Sequence, residues 1–244
     1  MYRLRTWLHR SPRRPLCCAL LGMGIAVGTT PVHGQEAGYP PSKSPYQDLE
    51  SPQRIFLFGG YFAAGKDRIG AAPQSAPLFG AQYEVSIGGP AQFFVRAARA
   101  SSKRDTFDPS QPKATRSLGT IGDPLWLVDL GFLFDLTGQK SWHHLVPTFA
   151  FGVGLANARA STADDPYSFG TQFAFNTDLG IRYVPGNTYD VRLGIGNTFY
   201  QNHYPTGYYV ATSDGTSLIG NGIAKTSYLN SWRLTAGLSV PLFR

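Results

Sequence analysis

The clearest alternation of apolar with polar or small residues lies near the end of the chain, in Trp232–Phe243. Successive side chains of a strand point to opposite faces. The apolar face carries Trp232, Leu234, Ala236, Leu238, Val240 and Leu242, and the other face carries Arg233, Thr235, Gly237, Ser239 and Pro241. A strand that crosses a membrane needs about 9–11 residues, whereas strands of soluble proteins average about 5–6. The length of this run therefore favours a membrane-spanning strand.

Seven further strand-like runs precede this one, and together they predict an all-β fold. Most of them alternate apolar with polar residues, as Phe173, Phe175 and Leu179 alternate with Asn176 and Asp178. The first run is apolar on both faces, so the sequence leaves its phase open. No run in this part of the chain has helical periodicity. The eight runs are Arg54–Ala64, Leu78–Gly88, Ala91–Ser101, Pro124–Leu136, His144–Asn157, Phe169–Val184, Tyr189–Tyr200 and Leu229–Phe243.

The connections between the runs alternate in length. Those after the second, fourth and sixth runs are short, whereas the others are longer and polar, the longest being Gln201–Tyr228. Short turns at one end and long loops at the other are typical of outer-membrane barrels. Within the longest loop, Ser213–Gly215 contains an Asp-Gly turn signal. This signal predicts a hairpin of Tyr208–Thr212 with Thr216–Ile219.

The beginning of the chain has the pattern of a secretory signal. Five arginines, from Arg3 to Arg14, precede the apolar run Leu16–Val27, and small residues follow before Gln35. A basic region, an apolar region and small residues before a cut site define such a signal. The alternative, an uncleaved anchor, would need about 20 apolar residues. We expect a signal peptide at residues 1–34, a flexible N-terminal segment at 35–53 and an outer-membrane β-barrel at 54–244.

Removal of this leader changes the charge of the protein. The full chain has 22 basic and 15 acidic residues, and the leader contains five arginines and no acid, which leaves 17 basic against 15 acidic residues. The basic pI therefore belongs largely to the leader, and nothing else in the composition favours a nucleic-acid partner. Both cysteines, Cys17 and Cys18, also lie in the leader. The remainder has no thiol for a disulfide or a cysteine metal site.

Charged residues on the polar faces of the runs are the most informative set for function. An eight-stranded barrel has an interior just wide enough for side chains to fill it, and an unpaired charge buried there is very costly. One interpretation is a structural network of ion pairs that fills the lumen. The other is a gated or narrow pore lined by the same groups. The set comprises Glu84, Arg96, Asp129, Asp135, Asp178, Arg182, Asp190, Arg192 and Arg233.

Aromatic residues cluster near the ends of the runs, which predicts the two interfacial girdles of a membrane barrel. Cross-strand pairing in a soluble barrel is the alternative. Trp142, Tyr183, Tyr189 and Phe243 lie near the short turns, and Trp126, Phe169, Tyr200, Tyr228 and Trp232 lie near the long loops.

Other candidates for chemistry are weak. His203 follows a strand, as a catalytic histidine of a lipid-modifying barrel would, but the serine nucleophile expected beside it is missing. His143 and His144 are adjacent at a short turn. Because neighbours on a strand point to opposite faces, they are poor joint metal ligands. Asp164 and Asp165, in an exposed loop, are expected to be solvated acids, with contact to a divalent ion as the less common alternative. We therefore predict no catalytic, cofactor-binding or metal-binding residue.

These features together resemble the small eight-stranded outer-membrane barrels of the OmpA, OmpX and OmpW type. The resemblance covers about residues 54–244 and is one of pattern rather than of a specific motif. It implies a transmembrane antiparallel up-and-down β-barrel in the cell outer membrane of Gram-negative type. Such barrels usually end on an aromatic residue in phase with the apolar face. Here Leu242 is in phase, Phe243 is out of phase and Arg244 is last.

The resemblance also implies a function and partners. We expect a monomer without enzymatic activity, in contact with outer-membrane lipid, lipopolysaccharide and the barrel assembly machinery. Its role would be structural or one of surface interaction, with a charged and largely plugged lumen. A narrow pore for small or apolar solutes, an outer-leaflet lipid-modifying enzyme and a secreted soluble barrel that binds a small ligand are the alternatives.

Overall fold

The computed structural model describes residues 44–49, 52–186, 188–220 and 224–242. The predicted signal peptide and the two final residues, Phe243 and Arg244, lie outside these ranges. The described strands are β1 Tyr46–Asp48, β2 Gln53–Ala63, β3 Ala76–Gly88, β4 Ala91–Ala100, β5 Lys103–Phe107, β6 Ser117–Gly122, β7 Leu125–Asp135, β8 Lys140–Trp142, β9 Leu145–Ala158, β10 Gly170–Tyr183, β11 Asp190–His203 and β12 Thr226–Pro241. The one helical segment among the described residues is a 3-10 turn, Thr206–Tyr209.

Eight of these strands form a closed antiparallel barrel. Around the barrel the order is β2, β3, β4, β7, β9, β10, β11 and β12, and β12 pairs again with β2. Each strand therefore neighbours the next barrel strand in the chain, which is the up-and-down arrangement. The predicted fold class, an antiparallel barrel of eight strands, is confirmed.

The register of the strands fixes the width of the barrel. We traced the paired residues from strand to strand once around the barrel, starting at Gln53 on β2. The path returns to β2 at Ala63, ten residues further along the strand. Such a stagger tilts the strands by about 35–45° from the barrel axis. The intermediate partners are Val85, Phe93, Phe132, Phe151, Thr177, Asn197 and Trp232. An eight-stranded barrel of this kind has room inside for side chains and little else.

The apolar phase of the strands faces outward. Leu179, Leu193 and Leu234 are exposed on neighbouring strands, whereas Asp178 and Arg233 on the alternate positions face the lumen. The structure also determines the phase that the sequence left open in the first run. There Phe56, Phe58 and Phe62 are buried inside the barrel, and Leu57 and Tyr61 lie outside.

The loops depart from the sequence-based expectation in two places. The predicted hairpin in the last long loop forms no regular strands, because Tyr208 lies in the 3-10 turn. Its two arms still meet across the turn, since Ile219 N donates to Tyr208 O (2.9 Å) and Thr212 N donates to Thr216 O (3.0 Å). A hairpin of regular strands forms instead in the loop after β4, where β5 pairs with β6.

The segment before the barrel also contains structure. Part of the stretch predicted to be flexible, β1, pairs with β8, so that Tyr46 lies opposite Trp142. Gln53, the last residue of that stretch, begins β2. No helix in the described part of the chain is long and apolar enough to span a bilayer.

Candidate functional site

The nine charged residues singled out in the sequence all face the barrel interior. Eight of them are buried, and Asp178 is partly buried. They group by height along the barrel axis into a loop-side cluster, a turn-side cluster and a single pair between them. The structure adds one member to the turn-side cluster that the sequence did not identify, Arg54.

The loop-side cluster consists of Arg96, Asp129, Asp178 and Arg233. The Nε of Arg96 donates to Asp129 Oδ2 at 2.8 Å, and its Nη2 donates to Asp178 Oδ2 at 3.0 Å. Arg233 bridges the same two acids, at 3.2 Å from Asp129 and 3.1 Å from Asp178. Asn176 donates a further hydrogen bond of 2.8 Å to Asp129. Two arginines and two carboxylates thus form a closed ring of opposite charges.

Glycines make room for this ring. A Cβ atom at Gly196 would lie 1.9 Å from Asp178 Oδ1, and a Cβ atom at Gly154 would lie 2.5 Å from Asp129 Oδ1. Neither distance is compatible with a Cβ atom. Both glycines face the lumen directly beside a carboxylate, so their missing side chains leave the space that the acids occupy.

The turn-side cluster lies where the strands meet the short turns. Asp190 pairs with Arg54 and, at 3.3 Å, with Arg182. Arg182 also pairs at 3.5 Å with Asp135, which accepts a hydrogen bond of 2.6 Å from Gln92. Every charge in this cluster therefore has an opposite charge beside it, as buried ions require.

Glu84 and Arg192 form the pair between the two clusters. The two side chains make a bidentate contact, in which Nη2 of Arg192 lies 2.6 Å from Glu84 Oε2. Gln82 donates to the same carboxylate at 2.7 Å, and the Arg192 guanidinium lies 4.9 Å from the ring centroid of Phe56. Bidentate geometry is the strongest form of an arginine–carboxylate contact.

Arg54 was missed for a specific reason. It opens the run that is apolar on both faces, so alternation could not assign it to the lumen. Its inclusion changes the charge balance, because five acids now face five arginines rather than four.

Apolar side chains fill much of the remaining interior. Phe94, Leu133 and Ala150 pack together in the middle of the barrel, and Phe62, Leu78, Leu125 and Leu127 pack near the long loops. A cavity of about 50 Å³ remains between the charged groups, lined in part by Phe56, Arg96, Asp178 and Arg192. It is little larger than one or two water molecules.

The long loops fold over the barrel mouth, and we call their described parts the cap: residues 64–75, 101–124, 159–169 and 204–220. Arg104, fully buried, is its centre. Its Nη1 donates to Asp165 at 2.7 Å, its Nε lies 3.6 Å from Asp123, and its Nη2 donates to Ala160 O at 3.0 Å. The expectation that Asp165 is solvated is wrong, because this carboxylate is buried against an arginine, whereas Asp164 is exposed.

Tyrosines tie the cap together. Tyr208 donates to Asp165 at 2.6 Å, Tyr167 donates to Asn202 at 2.6 Å, and Tyr204 donates to Asp67. Burial raises the pKa of Tyr208, and its hydrogen bond to Asp165 raises it further. Burial also raises the pKa of Tyr167 and of Tyr204. These hydroxyls therefore stay protonated donors at neutral pH.

The aromatic bands need one correction. Phe169 and Tyr200, assigned to the loop-end girdle, are buried inside, where their rings pack edge to face at 5.4 Å. Tyr200 belongs to the inward phase of β11, together with Asp190 and Arg192. Phe169 lies just before β10, next to Gly170 (φ 68°), and is outside the alternation of that strand. The outward members of the two bands are Trp126, Tyr228 and Trp232 near the loops and Trp142, Tyr183 and Tyr189 near the turns.

The histidines lie outside both clusters. His203 is exposed at the end of β11 opposite Thr226. His143 and His144 lie in a tight turn with φ values of 50° and 65°, and His144 Nδ1 is 3.0 Å from Val184 O. Among the described residues, no three His, Cys, Asp or Glu side chains are placed to hold a metal ion.

Comparisons with known proteins find likeness in fold. No protein-family model and no curated protein sequence matches the chain. Neisserial surface protein A is 15% identical over 79% of this chain and 98% of its own, with a TM-score of 0.49. The outer membrane protein OprG from Pseudomonas aeruginosa is 12% identical over 81% and 99%, with a TM-score of 0.48. Ail, the attachment invasion locus protein of Yersinia pestis, solved in complex with the heparin analogue sucrose octasulfate, is 11% identical over 77% and 98%, with a TM-score of 0.40.

Proposed function

We propose that this protein is an outer-membrane β-barrel with a structural or surface-interaction role and a lumen closed by its own side chains. The observation that carries the proposal is the apolar exterior of the barrel. Phe173 is 62% exposed, Leu193 61% and Leu57 58%, and similar side chains surround them on every barrel strand. Soluble monomers rarely expose apolar patches beyond about 300–600 Å². A bilayer is the solvent that such a surface fits.

The ends of this exterior suit the two membrane interfaces. Trp142 and Tyr183 mark the turn end, and Trp126 and Trp232 mark the loop end. The guanidinium of Arg99 lies 5.7 Å from the ring centroid of Trp126. A cation stacked on an interfacial tryptophan is placed to meet lipid phosphates. This geometry supports contact with outer-leaflet lipid, including lipopolysaccharide.

The interior supports a closed lumen. Its acids and arginines pair with one another, apolar side chains fill the levels between them, and the cap covers the mouth. A narrow pore would need a continuous water path past these layers, and the cavities among the lumen charges are small, about 50 and 40 Å³. We also propose insertion by the barrel assembly machinery, a monomeric state and no catalytic role.

Tryptophan fluorescence tests the membrane placement directly. Three of the four tryptophans, Trp126, Trp142 and Trp232, lie in the described residues, and each is about half exposed on the exterior. In vesicles of brominated lipid we expect strong quenching of their emission. Bromines near the headgroup end of the acyl chain should quench more than bromines near its methyl end.

Unfolding provides the control for this experiment. In concentrated urea the chain should leave the bilayer, and the quenching by brominated lipid should disappear. Efficient quenching of the folded protein by aqueous acrylamide, without quenching by brominated lipid, would exclude the membrane barrel.

A further inference from the structure

The cap contains a pocket of about 470 Å³ that plays no part in closing the lumen. Its apolar wall is formed by Ile69, Phe107 and Leu218, and its polar side by Lys113, Arg116 and Thr216. This volume lies within the range of small-molecule sites, about 300–1,000 Å³. We call it the cap pocket.

Arg116 is the unusual member of this pocket. Only 8% of the residue is exposed, yet no carboxylate in the described residues forms an ion pair with it. Its Nη2 donates to Thr216 Oγ1 at 2.5 Å, and its Nε is buried without a hydrogen-bond partner. By contrast, the other buried arginines of the cap and lumen each have an acid beside them. A buried cation without a counterion is costly.

The acid closest in the network does not supply the missing charge. Asp214 accepts hydrogen bonds from the hydroxyls of Thr212 and Thr216 and from Lys113 N at 2.8 Å. Thr216 therefore separates its carboxylate from the guanidinium of Arg116. The exposed ammonium group of Lys113 adds a second positive charge to the same pocket.

We propose that the cap pocket binds a small organic anion that carries an apolar group. The anionic group would contact Arg116 and Lys113, and the apolar group would lie against Phe107, Ile69 and Leu218. Arginine recognises carboxylates and phosphates through paired hydrogen bonds. The site is independent of the lumen and of the membrane contact, so it adds a surface-binding activity to the barrel.

Titration calorimetry with three water-soluble probes tests this inference. The protein is purified in an uncharged maltoside detergent, and heats of dilution into detergent alone are subtracted. We expect phenyl phosphate to bind more tightly than inorganic phosphate, which lacks the apolar group, and than benzyl alcohol, which lacks the charge. Equal binding of all three probes, or no binding of phenyl phosphate at millimolar concentration, would overturn the proposal.

Two variants locate the site. Arg116→Gln should weaken phenyl phosphate binding by about tenfold or more, because a hydrogen bond to a charged group is lost. Lys113→Gln, at an exposed position, should weaken it by about two- to fivefold. Lys103→Gln is the matched control, an exposed lysine of the same loop outside the pocket, and should bind as the unaltered protein does. Unchanged affinity in both pocket variants would place the ligand elsewhere.

Discussion

Asp129 accepts hydrogen bonds from Arg96, Arg233 and Asn176 in the barrel interior, and only 1% of the residue is exposed. Removing a carboxylate from water is costly, and the cost is offset only when its partners satisfy its oxygens. Asp129 and Asp178 together balance the charges of Arg96 and Arg233, and Asp129 is the more deeply buried of the two acids. Loss of the charge of Asp129 is therefore expected to destabilise the loop-side cluster.

The variant Asp129→Asn tests this dependence. It keeps the shape of the side chain but leaves Arg96 and Arg233 with one carboxylate, Asp178, between them. We expect a loss of about 3–5 kcal/mol in the free energy of unfolding, the usual cost of breaking a buried ion pair. Urea unfolding followed by tryptophan fluorescence measures it.

The exposed loop acid Asp164 provides the control. Asp164→Asn should change the free energy of unfolding by less than about 0.5 kcal/mol. A loss of similar size in both variants, or none at Asp129, would show that the loop-side cluster is not a source of stability.

At the scale of the element, the barrel and the cap are built differently. Each barrel strand pairs with a neighbour that is next among the barrel strands, so closure follows from local hairpins. The cap has almost no regular structure apart from β5 and β6, and side-chain contacts hold it. Arg104 and Asp165, its central pair, are 61 residues apart in the chain.

The variant Arg104→Gln tests the role of this pair. The loss of the guanidinium leaves Asp165 and Asp123 buried without a counterion, which should release the cap while the barrel stays closed. We expect faster cleavage within the loops by a soluble protease, and unchanged migration of the unheated barrel on a gel. Lys103→Gln, the exposed neighbour, should be cut at the rate of the unaltered protein. Equal cleavage rates in both variants would show that the cap does not depend on Arg104.

This difference explains what the sequence could predict. Alternation with a period of two is a local signal, so it predicted the strands and, in most of them, which residues share a face. It failed where a run is apolar on both faces, which hid Arg54. Phe169 and Tyr200 were misplaced because nearness to the strand ends, rather than phase, assigned them to the girdle. Contacts between distant loops leave no periodic signal. The burial of Asp165 and the pocket around Arg116 therefore emerge only from the fold.

At the scale of the whole molecule, the two surfaces of the barrel have opposite chemistry. The exterior is apolar and exposed, and the interior holds five acids and five arginines that pair with one another. Water-filled pores keep their charges apart along a wide lumen, whereas a barrel of eight strands has room only for its own side chains. This arrangement is the basis on which we propose a closed barrel.

The conductance of a planar bilayer tests this central claim most directly. The protein is reconstituted first into vesicles, and its insertion is checked by the faster gel migration of the unheated form. The same vesicles are then fused with the bilayer in concentrated potassium chloride. We expect no steady current above that of the lipid alone, since in the proposed closed state ion pairs, apolar layers and the cap obstruct the lumen. A steady current that grows with the amount of inserted protein would contradict the closed lumen.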